Sequence, residues 1–191
     1  MPDPWDNPEL PSEADENIDL VYNGVGRVTS EWEGIEVGFS RIYSFFSQSP
    51  DEYAAFAKYG EGNIFQTRMN ALVAIGDAYF INHRNQELEG EFHRLSTLAS
   101  DYSKRRNDIA HGIVGPIQYY EWFASKTQIK PKTNYWALLP AYHKLSKPIL
   151  NNPPRYVYYS KSLRVVEKGI NSLYGEIAQY REQLRGLTVK S

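Results

Sequence analysis

Within nine residues, Lys104-Arg105-Arg106-Asn107-Asp108-Ile109-Ala110-His111-Gly112 gathers one imidazole, two guanidiniums, an ammonium, an amide and a carboxylate. On a helix, residues one turn apart share a face, so Asn107 and His111 stand together and Asp108 lies three positions from His111. Arg106 is rotated from His111 by about 140° around the axis, given about 100° per residue. Its long fork reaches round toward the same patch, while Ile109 and Ala110 supply the side expected to pack inward. An imidazole exchanges a proton near neutral pH, and a guanidinium is matched to the oxygens of a phosphate. The plainer alternative is structural: a His and an Arg in a last helical turn satisfy terminal carbonyls and the helix dipole. For an arbitrary Arg-x4-His spacing that alternative is the commoner one.

The elements that must position this segment are mostly helical. Val21, Val25, Val28, Trp32, Ile35, Phe39, Ile42 and Phe46 recur at steps of three and four and make one stripe of a long helix. Ser12 or a nearby acid is its expected cap, and Gly24 and Gly26 weaken its first half. A break is expected at Ser47-Gln48-Ser49-Pro50, then a short helix over 51–59 with Pro50 at or near its first turn. After a turn at 60–63, Phe65, Met69, Leu72, Val73, Ile75, Gly76 and Phe80 define another helix, with Ala71, Ala74, Gly76 and Ala78 suggesting close neighbours. A helix from Gln86 carries Leu88, Phe92, Leu95, Leu98 and Ala99 inward and continues to His111, where Gly112 is a left-handed cap. Residues 117–124 and 134–139 have strand composition and predict a small β-hairpin, with a further short strand at 156–159. A final helix over 161–185 carries Leu163, Val166, Ile170, Leu173, Ile177, Tyr180 and Leu184 on one stripe. The expectation is an all-α fold: a bundle of four to five helices with a small β-hairpin insertion before the last helix. It forms one domain over 18–191 (insertion 117–159), preceded by an acidic, Pro-rich flexible tail over 1–17.

Composition narrows the chemistry. The 191 residues are 41% hydrophobic with 15 Tyr and 4 Trp, which excludes a disordered chain. With 0 Cys, thiolate zinc sites, disulfides and cysteine nucleophiles are excluded. No apolar run approaches the roughly 20 residues of a membrane span, and Met1–Asp6 lacks a signal-peptide pattern; the expected setting is cytoplasmic, with no membrane partner. The net charge of -2 hides an asymmetry: residues 1–17 hold six acids and no base, while residues 101–191 hold 15 Lys+Arg against 6 Asp+Glu. A basic C-terminal half suits a polyanion, although a solvated mixed surface is the plainer reading. His83, His93 and His143 lack metal-ligand spacing, so no metal and no cofactor is expected. The glycines of 24–26 and 60–62 lack the setting of a phosphate loop, and the Gly34-x3-Gly38 pair is too polar in context for a membrane dimer.

The segment Arg106-Asn107-Asp108-Ile109-Ala110-His111-Gly112 resembles the Arg-x4–6-His motif of the HEPN superfamily. There an Arg followed by a polar residue, often Asn, precedes the His on a late helix of a small bundle. The resemblance covers helix order over about 18–185, but only seven positions match in detail, and Arg105 offers an overlapping Arg-x5-His register. What the resemblance implies is metal-independent RNA cleavage by attack of a ribose 2′-OH, at two motifs facing each other in a homodimer. His111 would be the acid/base, Arg106 the clamp on the phosphorane and Asn107 an orienting group, with Arg105, Asp108 and Lys104 in support. It also implies toxin–antitoxin or anti-phage settings, with an antitoxin or other protein as a further partner. The alternative is a non-catalytic module that binds RNA, a nucleotide or a protein partner. Asp108 departs from the family pattern, since its charge would hold Arg106 or repel phosphate.

Glu36 is the outlying candidate. It flanks the Trp32/Ile35/Phe39 stripe, from where it would pair with Arg106; a solvated carboxylate is the plainer reading. The aromatics Tyr119, Tyr120, Trp122, Phe123, Tyr135 and Trp136, beside Lys126, Lys130 and Lys132, suit base stacking but are better read as hairpin packing.

Overall fold

The structure, a computed structural model, describes residue 8 and residues 15–117, 135–141 and 156–188. Along the chain these form α1 (Ile18–Ser47), α2 (Glu52–Gly60), α3 (Phe65–Asn82), α4 (Gln86–Ala110), β1 (Ile113–Pro116), β2 (Trp136–Leu139) and α5 (Ser160–Thr188). The class is all-α with one small antiparallel β-pairing before the last helix, as the periodicities predict. The helix starts and stops follow local chemistry. Asn17 Oδ1 accepts from the Asp19 N–H at 2.9 Å and opens α1; Ser12 lies outside the described residues. Gln48, at φ 50°, closes α1. Asp51 caps α2 by accepting from the Tyr53 and Ala54 N–H groups, and Pro50 stands directly before the cap, near the first turn as expected.

The chain groups into two compact units, Met1–Glu31 with Lys104–Gly169, and Trp32–Ser103 with Ile170–Ser191. In the second unit the apolar stripes meet as the 3.6-residue period requires. Trp32, Ile35, Phe39, Ile42, Leu72, Phe92, Leu95, Ile170 and Ile177 have no exposed surface. Phe46 is the hub, with Tyr79, Phe80 and Phe92 ring centroids at 5.1, 5.4 and 5.0 Å, two of them edge-on as aromatic quadrupoles favour. The Gly34-x3-Gly38 pair finds its role inside the chain. A Cβ at Gly38 would lie 2.7 Å from Ile177 Cγ2, and one at Gly34 3.3 Å from Tyr174, so the two glycines let α5 approach α1 closely. Of the four small residues expected to face neighbours on α3, only Gly76 is buried; Ala71, Ala74 and Ala78 are exposed.

The first unit holds the β-pairing, and here the structure corrects the expected positions. The strand partner of 136–139 is 113–116, ahead of the expected start at 117: Ile113 pairs with Leu139 and Pro116 with Trp136, and the Ile117 N–H goes on to donate to the Tyr135 carbonyl at 2.8 Å. The reason is continuity, because α4 runs to Ala110 and the chain enters the strand directly after Gly112. Residues 118–134, with Tyr119, Tyr120, Trp122, Phe123 and the three lysines, lie outside the described residues. The short strand expected at 156–159 is a single bridge, in which Leu138 and Tyr158 exchange N–H···O bonds of 2.7 and 2.9 Å.

Asp15, counted with the acidic N-terminal segment, is not solvated. It bridges Trp136 through its backbone, and its carboxylate accepts from the Ser160 N–H at 2.7 Å and the Ser160 hydroxyl at 2.5 Å. A residue 145 positions away therefore caps α5, with the carboxylate at the positive end of the helix. Asp15→Ala is expected to cost about 1–2 kcal/mol, the usual worth of an N-cap, and to lower Tm by a few degrees in thermal denaturation. An unchanged Tm would show that the α5 terminus is held by other contacts.

Candidate functional site

The 104–112 segment closes α4 within the first unit. It is helical to Ala110, and the His111 N–H still donates to the Asn107 carbonyl at 3.1 Å, so the helical path carries through to the imidazole. Gly112 then breaks the helix, but not by the expected left-handed conformation, since no described glycine has positive φ. The position is closed to a side chain by space: a Cβ there would come within 2.8 Å of Leu138 Cγ and Cδ1 and of the Leu139 carbonyl oxygen. The glycine lets the end of α4 lie directly against β2.

The segment's residues separate into an inner and an outer set. Ile109 has no exposed surface, as its expected inward face requires, whereas Ala110 is exposed. Asp108 is buried, only 4% exposed, and holds Arg105 through an Nη2–Oδ2 contact of 3.0 Å. Arg105 Nη1 also points to the Tyr158 hydroxyl at 3.5 Å, and its guanidinium lies 5.8 Å from the Tyr156 ring. Burial alone would lower the Arg105 guanidinium; the Tyr158 bond and the neighbouring Tyr158, Asp108 and Tyr156 charges outweigh it and raise it. Burial, followed by the Asp108 charge, pushes the Tyr156 phenol well above its ordinary range. Arg105 and Asp108 thus tie the end of α4 to the 156–158 segment.

The outer set is Arg106, Asn107 and His111, with Lys104 exposed beside it. Asn107 and His111 are exposed one turn apart, and Arg106, half-buried, donates from Nη1 to Asn107 Oδ1 at 3.2 Å. The overlapping Arg-x5-His register is therefore occupied by an arginine committed to an internal pair. Arg106 is the guanidinium joined to the outer group. In chemical terms the outer set offers a proton carrier, a cationic fork and an amide on one short stretch of surface.

The pairing of Asp108 with Arg105 yields a prediction. Arg105→Ala removes the guanidinium paired with a buried carboxylate and is expected to cost about 3 kcal/mol. That corresponds to about 6–12 °C in Tm for a chain of this size, read by thermal denaturation. A loss under about 1 kcal/mol would give the pair only the worth of a surface ion pair.

Glu36, expected to be solvated or to pair with Arg106, is largely buried and has its carboxylate taken up within its own unit. In the second unit its carboxylate takes a bidentate pair from Arg68, Nε at 3.0 Å and Nη2 at 2.5 Å. It also accepts from the Tyr59 hydroxyl at 3.2 Å and the Trp32 indole N–H at 3.3 Å. Burial first, and then the Glu36 charge, pushes the Tyr59 phenol well up. Sequence reasoning missed Arg68, which lies 32 positions from Glu36 on a helix with no spacing signal linking the two.

Among the described residues no group of three or more His, Cys, Asp or Glu is placed to hold a metal ion, and no helix is long and apolar enough to cross a membrane. Comparison of the chain with protein-family models, curated proteins and solved structures finds no match.

Proposed function

We propose that the protein is a metal-independent endoribonuclease of HEPN type, active as a homodimer. The observation that carries this reading is the outer set on α4: Arg106 bonded to Asn107, with Asn107 and His111 one turn apart and exposed, while Arg105 is withdrawn into the Asp108 pair. In this reading His111 takes the proton of a ribose 2′-OH as the oxygen attacks the adjacent phosphorus. Arg106 bears the charge that builds on the phosphorane oxygens, and stabilising that charge is where such catalysts lower the barrier most. The 5′-oxygen leaves and is protonated by the facing motif of a second copy, so the products are a 2′,3′-cyclic phosphate and a 5′-hydroxyl. A twofold dimer supplies the second motif with one interface. A toxin or anti-phage role, with an antitoxin as partner, is the setting that the resemblance implies.

One observation favours the second reading, binding of RNA, a nucleotide or a protein without cleavage. Arg106 is half-buried and already bonded to Asn107, so its fork is only partly presented. Light scattering together with incubation of a structured RNA in EDTA separates the two. A dimer that cleaves supports the nuclease. A monomer or dimer that retains RNA intact on a gel supports an RNA-binding module; absence of both cleavage and RNA retention contradicts the nuclease and the RNA-binding form, leaving a nucleotide or a protein as the ligand.

A further inference from the structure

A second concentration of positive charge lies in the second unit, away from the motif in sequence. Arg41 from α1 and Arg181 and Arg185 from α5 line one cavity of about 180 Å³ together with Ser44, Phe45 and Glu52. Arg185 is neutralised by Glu182 at 2.8 Å, an exposed i,i+3 pair. Arg41 and Arg181 make no ion pair with any described residue, and Glu52 pairs with none of the three. Helix-end electrostatics do not account for them: Arg41 is in the interior of α1, and Arg181 is seven positions before the end of α5, beyond the last turn where a helix dipole favours cations.

Two guanidiniums held on one concave surface, neither of them in an ion pair with the Glu52 carboxylate that shares it, repel each other, and an arginine does not escape by losing its proton. Burial first, and then the Arg41 and Arg185 charges, pushes the Arg181 guanidinium down, against the smaller upward pull of Glu182 and Tyr174. The arrangement is relieved by an anion that accepts from both forks. Phosphate fits, because its oxygens match guanidinium geometry and the Ser44 hydroxyl on the same wall adds a donor.

We infer that Arg41 and Arg181 form a phosphate-binding site, supplied by the backbone of an RNA strand or by a free phosphate compound. This goes beyond the cleavage reading and does not rest on it.

The test uses the full chain and two probes. One is a fluorescent 2′-O-methyl uridine 12-mer, which has no 2′-OH to attack and so reports binding whatever happens at His111. The other is inorganic phosphate, with uridine monophosphate beside it, read as a rise in Tm. Arg41→Gln/Arg181→Gln is compared with Lys58→Gln/Arg84→Gln, which removes two exposed charges of the same unit. For a strand, the first variant is expected to bind the 12-mer about tenfold more weakly. Its salt slope falls by about 1.4, at about 0.7 for each phosphate no longer neutralised, while the control changes less than twofold. For a free compound, the phosphate or monophosphate shift in Tm disappears in the first variant and the 12-mer is unaffected. Arg41→Gln alone, at an exposed position, keeps the fold and is expected to give about a threefold loss on the same probe. Equal losses in the two double variants, or no response of the wild type to either probe, overturn the site. A fall in Tm of the first variant without ligand, in place of an unchanged or higher Tm, assigns the arginines to packing and overturns it as well.

Discussion

His111→Ala is expected to lower RNA cleavage in EDTA by about 10²–10⁴-fold, the usual range for loss of a positioned acid/base, with Tm unchanged within about 2 °C. The stability half of this expectation follows from exposure: the imidazole lies on the surface, and Ala continues the helix at least as well as His. Arg106→Ala is expected to lose cleavage by about 10²–10³-fold, the range typical for removal of a single donor to a developing oxyanion. Arg105→Ala is expected to act the other way round, with a large fall in Tm, because its charge is committed to Asp108. This crossed pattern distinguishes a working motif from a helix end held together by polar side chains. If Arg105 and Arg106 variants lose activity and stability in proportion, the motif is structural. Retention of activity by His111→Ala with a normal Tm removes the imidazole from the chemistry.

The second large effect concerns stability. Glu36 is the acceptor for four donors, two from Arg68 and one each from Tyr59 and Trp32. Its side chain is 11% exposed and that of Arg68 is 22% exposed. Glu36→Ala therefore leaves a largely buried guanidinium without its counter-charge, holding only the Gly62 carbonyl, and leaves a phenol and an indole N–H without their acceptor. Breaking one side of a buried pair costs about 3–5 kcal/mol; with Arg68 reaching some water, about 3 kcal/mol is expected. Glu36→Gln keeps the shape and one carbonyl acceptor and is expected to cost about half as much. Chemical denaturation of both variants reads the difference. If Glu36→Ala and Arg68→Ala together cost the sum of the single effects, the two residues do not interact; the geometry requires the double variant to cost clearly less than that sum.

The long helices were legible because their stripes are local. Every apolar position proposed for α1 except Val25 is buried, as are all seven proposed for α5. Their ends were legible where the capping group is adjacent in sequence, as at the 47–50 break. What the sequence did not disclose depends on distance along the chain. The capping of α5 by Asp15, the Arg68 pair of Glu36 and the partner of β2 each join residues whose spacing carries no periodic signal. Gly112 shows a different gap. Its position after a helix suggests a backbone conformation, whereas the structure assigns it to the lack of room beside Leu138 and Leu139. At the candidate site, rotation about the helix axis placed Asn107 with His111, but the Arg register needed structure. Arg105 and Arg106 are adjacent, and only the buried Asp108 and Tyr158 decide which of them turns inward. The rotation argument also turned Ala110 inward, where it is exposed.

The most direct test of the proposed chemistry is the identity of the product ends. A structured RNA is incubated with the wild-type protein in EDTA, and the breaks are mapped and their termini identified. The same RNA is run in parallel with a 2′-O-methyl group on the nucleotide 5′ to each break. The account predicts 5′-hydroxyl and 2′,3′-cyclic phosphate ends, abolished by the 2′-O-methyl group and by His111→Ala. Breaks that persist at 2′-O-methylated positions, or that His111→Ala makes equally well, would contradict it.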